Sequence, residues 1–331
     1  MTVRIGGACR MVAGTALACV MAVGQVALAQ ESNYPARPIT MVVAGPPGDV
    51  SDIVGRLVAE RVGKELGGTV VVENKPGASR MIGIAHAARA QPDGYTLLFT
   101  DVSMVLSPLL YPNPGYDPFK NFVPVSEAGS TPIMLVVNAA NVPAKSVDEF
   151  VSLAKDRPGY YTYASNGNGT PVHMYGEMLA SRAQADLLHV PFQGGAQMIT
   201  GLVGGQVHAA FITFSSARPH IESGKLRGLA LTGTRRAAAM PGMPTFPEVG
   251  YPDFSHAGWL AAFMPAGTPP DMVQRWADAI KVAVADPSIM EKMRAMGVEP
   301  VGSSPADMAQ TLKVNHERWS DWVKRFNARV N

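Results

Sequence analysis

Cysteine is nearly absent from this chain: both residues of that type, Cys9 and Cys19, fall in the first thirty positions. Everything after them has neither a thiol nor a disulfide, so a folded body must be held by its own apolar core. An excess of one charge is missing too, with 28 basic against 26 acidic residues. That balance leaves no electrostatic footprint for nucleic acid or for an anionic membrane. No apolar run after residue 30 approaches the roughly 20 residues needed to cross a bilayer. The motifs of several chemistries are also lacking. Gly-x-Ser-x-Gly does not occur, there is no Walker loop, and Gly167-Asn168-Gly169 is followed by Pro171-Val172 and not by the third glycine of a dinucleotide fingerprint. Seven histidines, among them His86, His173, His189, His208 and His256, form no pair at a zinc-ligand spacing. The expectation is a protein without metal, cofactor or catalytic residues.

The N-terminus carries an export pattern. Arg4 and Arg10 precede an uncharged apolar stretch from Met11 to Val26, and Ala27-Leu28-Ala29 forms a small-x-small site before Gln30. This reads as a signal peptide over 1–29, removed after Ala29. Lipid attachment at Cys19 is the rival reading, but Val20 to Val26 stays apolar where a polar tether would follow a lipidated cysteine. Cleavage would remove two basic residues and no acidic one, leaving equal numbers of each sign. The roughly 300 residues that remain exceed the usual size of one domain, so two lobes are expected.

Apolar periodicity then alternates. Ile39 to Ala44, Val70 to Glu73 and Tyr95 to Thr100 read as strands, with helices over Ile53 to Leu66 and Ile82 to Ala90 between them. Ile133 to Val137, Tyr161 to Ala164, His189 to Phe192, Val207 to Thr213 and Leu229 to Thr232 repeat the strand pattern, with intervening helices over Ser146 to Lys155, from about Pro171 to Arg182, and over Gln197 to Gly204. Trp259 to Met264 is extended, and three helical stretches follow, the last with Trp319 and Trp322 on its packing face. Strands alternating with helices predict a largely parallel sheet in each lobe. A discontinuous first lobe (30–130 and 256–331) around a second (131–255) would create paired crossovers, a hinge, and a cleft beside it.

Two loops at strand ends could carry binding. Pro46 to Asp52 runs into a helix N-terminus, where free amides and the helix dipole favour an anion, and Ser165 to Thr170 repeats the device in the second lobe. Both could equally be ordinary strand-to-helix turns. His173 lies just inside the helix after the second loop, and Gly194, Thr213 and Ser215 sit at further strand ends that would offer amide and hydroxyl donors to the same cleft.

At this point the sequence resembles a family, the Bug-type (TctC-like) extracytoplasmic solute receptors of tripartite tricarboxylate transporters. The resemblance rests on ordered blocks along nearly the whole chain after residue 30. They include Tyr34-Pro35-x-Arg37-Pro38-Ile39, Pro46-Pro47-Gly48 with Ser51-Asp52, Val72-Glu73-Asn74-Lys75-Pro76-Gly77-Ala78 and Pro92-Asp93-Gly94-Tyr95-Thr96-Leu97. Tyr163-Ala164-Ser165 with Gly167-Asn168-Gly169-Thr170, His189-Val190-Pro191-Phe192 with Gly194, Gly204-Gly205-Gln206-Val207 and Pro265-Ala266-Gly267-Thr268-Pro269 continue the series. It implies an α/β, two-lobed type II periplasmic binding protein fold: two Rossmann-like lobes with a hinge and an interlobe cleft that closes on a carboxylate. It also implies a periplasmic monomer that delivers its ligand to membrane permease subunits or, in the alternative, presents it to a signalling partner; a secreted hydrolase is the enzyme-class rival. By position, the implied ligand-binding residues are Gly48, Ser51, Asp52, Ser165, Gly167, Asn168, Gly169, Thr170, His173 and Gly194.

Departures from the family pattern single out further residues. Asp49 and Val50 stand where a run of glycines is common after Pro-Pro-Gly, Ala78-Ser79-Arg80-Met81 replaces a turn commonly containing glycine and asparagine, and Phe214-Ser215 replaces an acidic or amide position. Asp49 would repel a carboxylate if it points inward. Arg80 is expected to offer its fork to a carboxylate while Asp49 or Asp101 accepts from an amine or hydroxyl, selecting an amino acid or hydroxy acid over a tricarboxylate; the alternative places these charges on the solvent-facing rim. An aromatic acid is also possible, with Phe192, Phe214 and Met81 lining an apolar slot.

Overall fold

The computed structural model describes residues 1–2, 34–168, 170–192 and 195–326. The leader reading over 1–29, with Cys9 and Cys19, therefore lies outside the described residues except at its first two positions, as do Gly169 and Gly194.

Two sheets organise the chain. The first has six strands: β1 (Ile39–Val43), β2 (Val70–Asn74), β3 (Thr96–Asp101), β4 (Phe122–Thr131), β10 (Gly258–Pro265) and β11 (Glu299–Pro300), in the order β11-β4-β10-β3-β1-β2. The second takes the intervening sequence: β5 (Ile133–Asn138), β6 (Thr162–Ser165), β7 (Leu188–Pro191), β8 (Ala209–Thr213) and β9 (Leu226–Leu231), in the order β7-β6-β8-β5-β9. The helices are α1 (Val50–Leu66), α2 (Met81–Ala88), α3 (Ser103–Leu110), α4 (Val147–Asp156), α5 (Pro171–Ala183), α6 (Gly195–Val203), α7 (Phe214–Glu222), α8 (Pro270–Ala285), α9 (Pro287–Ala295) and α10 (Pro305–Phe326).

Local chemistry accounts for most of these elements. The β-branched run of β1 is central and almost wholly buried, whereas β2 alternates between exposed and half-buried residues as an edge strand does. Asp49 caps α1 by accepting from the Asp52 N–H, and Gly67 ends the helix at φ 73°. Ser146 caps α4 through the Glu149 N–H, and α5 opens on Thr170 and Pro171.

The expectation of largely parallel sheets needs correction. Among the described strands, β1 with β2 and β3, and β6 with β7 and β8, pair in parallel, whereas β10 with β3 and β4, β11 with β4, and β5 with β8 and β9 are antiparallel. The cause is the passage between sheets. β4 leaves the first sheet and only Pro132 separates it from β5, so strands carrying the chain across run against their βαβ neighbours. β4 itself escaped sequence reading because FVPVSEAGST contains proline, glycine and serine and its pairing comes from β10 and β11. The outgoing and returning crossings are bonded together: Ile133 N–H donates to Thr232 Oγ1 at 2.9 Å, and Thr232 N–H to the Ile133 carbonyl at 2.8 Å.

Three apolar clusters fill the layers. One face of the first sheet packs on α1, α8 and α9 through Val54, Val58, Trp276 and Ile280. A cluster on the other face takes in α2 and α3 and continues into the second sheet, α4, α5 and the Trp319–Trp322 face of α10. There Tyr175 meets Trp319 edge-on at 5.6 Å and stacks toward Phe254 and Phe211. The remaining face of the second sheet packs on α6 and α7. In both sheets, helices thus cover both faces, with the change of face between α1 and α2 in the first and between α5 and α6 in the second.

Candidate functional site

Helices on opposite faces fix where a site can form. α1 covers one face of the first sheet and α2 the other, so the chain reverses direction about β1 and opens a crevice at the carboxyl ends of β1 and β3. α5 and α6 do the same about β6, opening a crevice at the ends of β6 and β8. Ligands of open α/β sheets bind at such reversals. The first crevice holds residues 44–49, Arg80 and Asp101; the second holds Ser165 to Asn168, Thr170 and Thr213. Tyr111 joins them. Its hydroxyl donates to the Asn168 carbonyl at 3.0 Å and lies 3.1 Å from Ser79 Oγ, so the turn bearing Arg80 and the loop after β6 meet across the cleft. Tyr111 was not among the expected site residues; it sits just past a proline-containing helix, and only the interlobe geometry reveals it.

The first crevice is internally satisfied. Arg80 Nε lies 2.7 Å from Asp101 Oδ2, Nη2 is 3.1 Å from Asp49 Oδ2, and Nη1 donates to Ser51 Oγ at 3.2 Å. Ser51 Oγ donates to Asp49 Oδ1 at 2.6 Å, and Ser103 N–H donates to Asp101 Oδ1 at 2.9 Å. Burial alone would weaken the charge on Arg80, but the two aspartates outweigh it and raise its pKa further. The expected open fork toward a carboxylate is therefore closed in this state. Gly45 makes the cluster possible: a Cβ there would lie 2.2 Å from Arg80 Nη1 and 2.5 Å from both Asp49 Oδ2 and Ser51 Oγ. The turn behind it is tight, with Ala78, Ser79 and Arg80 all in the left-handed region at φ 46°, 49° and 71°. Non-glycine residues there cost of order 1 kcal/mol each, so surrounding contacts must hold the turn.

Two expected contacts of the first loop are engaged elsewhere. Asp52 is buried, accepting from Gly48 N–H at 2.9 Å, Asn74 Nδ2 at 2.9 Å and Arg56 Nε at 2.9 Å. Burial opposes its ionisation, yet these donors prevail and its pKa falls below the usual carboxylate value. Asp52 thus braces the loop, and the Gly48 amide points into that brace and not outward.

In the second crevice, Thr170 Oγ1 donates to the Gly167 carbonyl at 2.8 Å and accepts from His173 N–H at 3.4 Å, closing the loop onto α5. Ser165 Oγ sits 2.7 Å from His189 Nε2 and 3.0 Å from the Gly167 carbonyl. His173 stacks on His189 with centroids 4.0 Å apart, His189 stacks on Tyr163, and the Tyr163 hydroxyl donates to Glu177. Burial, reinforced by His173, pushes His189 down to about 4, while burial lowers His173 against the opposing pull of Glu177. The Ser165–His189 distance is that of a nucleophile and base, but Ser165 is fully buried and looped onto its own backbone, which makes it a loop brace. At the end of β8, Thr213 Oγ1 lies 3.3 Å from Ser215 Oγ and donates to Ser216 Oγ at 3.0 Å.

The apolar slot does not form. Phe214 is buried in the cluster behind the second sheet, against Gly297, and Phe192 packs on that same cluster over Gly201. Phe214 fills the core beside the cleft, while half-buried Phe192 and Met81 pack on the clusters behind their own sheets. Among the described residues, no group of three or more histidine, aspartate or glutamate side chains is placed to hold a metal, and no helix is long and apolar enough to cross a membrane.

Residues 54–328 match the tripartite tricarboxylate transporter family receptor profile. BugT of Bordetella pertussis is 33% identical over 309 residues, covering 93% of this chain and 94% of that protein. The solved structure of the periplasmic binding protein BugD is 32% identical with a TM-score of 0.78, covering 89% of this chain and 99% of that one. Rpa4515 of R. palustris, solved with adipate, reaches a TM-score of 0.82 at 30% identity over 90% of this chain and all of that one. MatC of Rhodopseudomonas palustris, solved with bound malate, reaches 0.77 at 28% identity over 88% of this chain and all of that one. With a matching profile over most of its length and two α/β sheets arranged as in these periplasmic receptors, the chain belongs to the tripartite tricarboxylate transporter receptor family and has its two-lobed type II binding-protein fold.

Proposed function

We propose that this protein captures a small carboxylate-bearing solute between two lobes, 30–130 with 256–331 and 131–255, and hands it to the membrane permease of a tripartite transporter. The observation that carries the reading is the pair of strand-end crevices facing each other, with Tyr111 spanning to Asn168. Relatives of the same fold hold adipate and malate, both small acids. Around the cleft, Gly167, Asn168, Thr170 and His173 form the second-lobe wall, braced from behind by Ser165, with Thr213 and Ser215 beside it; Gly169 and Gly194 stay in the proposed set by position in the sequence. Gly48, Asp49, Ser51, Asp52, Arg80 and Asp101 form the first-lobe wall, of which Gly48 and Asp52 act by bracing the loop. The protein works as a periplasmic monomer, exported through its 1–29 leader, and catalyses no reaction.

A thermal-shift screen of residues 30–331 against dicarboxylates, tricarboxylates, acidic amino acids and aromatic acids tests this, since binding to the native state raises Tm by mass action. A saturable shift with one class, lost in Ser165→Ala or Thr170→Ala proteins that remain folded, is expected. A folded protein unmoved by every acid contradicts the reading.

A further inference from the structure

The first-lobe wall already contains an anion. Asp49 occupies the N-terminus of α1, taking Ser51 Oγ at 2.6 Å and Asp52 N–H at 2.8 Å, which is the place an anionic ligand would take. The nearby Gly48 amide is bonded to Asp52. Arg80, the cation of this wall, is shared between Asp49 and Asp101, so these three groups together carry one net negative charge. The charges around them cancel in pairs: Arg56 with Asp52, and Lys75 with Glu73. Asp49 and Asp101 keep 24% and 20% of their side-chain surface open, enough for each to accept a further hydrogen bond. Their place in the crevice follows from the strand ends: Asp49 closes the loop after β1 and Asp101 ends β3, the adjacent strands between which the chain reverses.

A second carboxylate set against this wall would meet like charge in a partly desolvated crevice, where repulsion is stronger than in water. A protonated amine would meet opposite charge and ready acceptors. Resting on the receptor reading above, we propose that the solute is a zwitterionic amino acid, its carboxylate held by the second-lobe loop and its ammonium by Asp49 and Asp101. The two aspartates are then the specificity determinants, and Arg80 is the positioning residue that ties both together. Discrimination comes from repulsion as much as attraction: the same charge that holds the ammonium rejects di- and tricarboxylates.

Isothermal titration calorimetry on residues 30–331 decides the matter, using the twenty standard amino acids, their amine-free counterparts, and malate, adipate and citrate. The expected result is one amino acid, or a small group, bound about tenfold or more tighter than its amine-free counterpart and than every di- or tricarboxylate. Asp49→Asn keeps an oxygen at the helix cap but removes the charge, and should narrow that gap to about threefold or less; Asp101→Asn should act alike and covers the case in which the first variant does not fold. If amine-free acids, malate, adipate or citrate bind as tightly as any amino acid, the ammonium assignment is overturned while the receptor reading stands. If no acid of any class binds, both fall together.

Discussion

Replacing Arg80 by methionine should destabilise the protein by about 2–3 kcal/mol. Three bonds are lost at once, to Asp101 at 2.7 Å, Asp49 at 3.1 Å and Ser51 at 3.2 Å, and two carboxylates remain without their shared cation. Removing one partner of a fully buried ion pair costs about 3–5 kcal/mol. Here the three side chains retain 20–24% exposure, so water compensates part of the loss and the lower figure applies. The loss should also be coupled. In an Arg80→Met, Asp49→Asn double variant one of the two stranded charges is gone, so the combined cost should fall below the sum of the single costs by about 1 kcal/mol. Urea unfolding of the four proteins at pH 7 supplies the cycle, with an unchanged slope required for a clean comparison. A single-variant loss below about 0.5 kcal/mol, or strict additivity, would mean that Arg80 lies in solvent and that the cluster has no structural role.

Acid should weaken the fold through its histidines. His189 and His256 titrate at about 4 in the folded state, both because of burial first, against an ordinary value of 6.5. A depressed folded pKa means the unfolded chain binds the proton first, so stability is whole above pH 6.5 and declines as pH falls toward 4. Discounting for partial solvent access, His189 accounts for about 1–2 kcal/mol between pH 7 and 5; a His189→Gln protein should show a flatter urea-unfolding profile there, and equal slopes contradict the assignment. Tyr111→Phe removes the hydroxyl that reaches Asn168, about 1 kcal/mol of closed-state contact, and should speed ligand dissociation about threefold to tenfold in stopped flow with little change in association. Gly176→Ala would place a Cβ 2.0 Å from the Tyr163 ring, and overpacking of about 1–3 kcal/mol should appear as a lower urea midpoint.

Much of the fold was legible because hydrophobic periodicity and capping residues act locally. Ser146 and Thr170 each cap the helix that the sequence marks, and the glycine-rich loops fall at strand ends, whereas α1 begins a turn earlier than Ser51-Asp52 suggested and is capped by Asp49. Strand direction was not legible, since β4 and β10 owe their antiparallel pairing to the chain's passage between sheets, a long-range fact. The helices α3 and α7 were missed for a different reason. Each contains a proline, Pro108 or Pro219, that breaks the local signal while tertiary packing keeps the helix. At the site, sequence offered Asp49, Arg80 and Asp101 either as a ligand-binding set or as charges on a solvent-facing rim, and could not show that they pair with one another. Phe192 and Phe214 looked like pocket lining because aromatic residues at strand ends serve either core or cleft; only the sheet face to which each belongs decides it.

Hydrogen–deuterium exchange of residues 30–331, with and without the tightest-binding acid from the calorimetric panel, tests the central claim most directly. The account predicts that added ligand slows exchange together in 44–52, 78–80 and 101–103 of one wall and in 165–173 of the other, since a solute trapped between lobes must order both. Protection confined to one wall, or found only at segments remote from both crevices, would contradict capture between the two lobes.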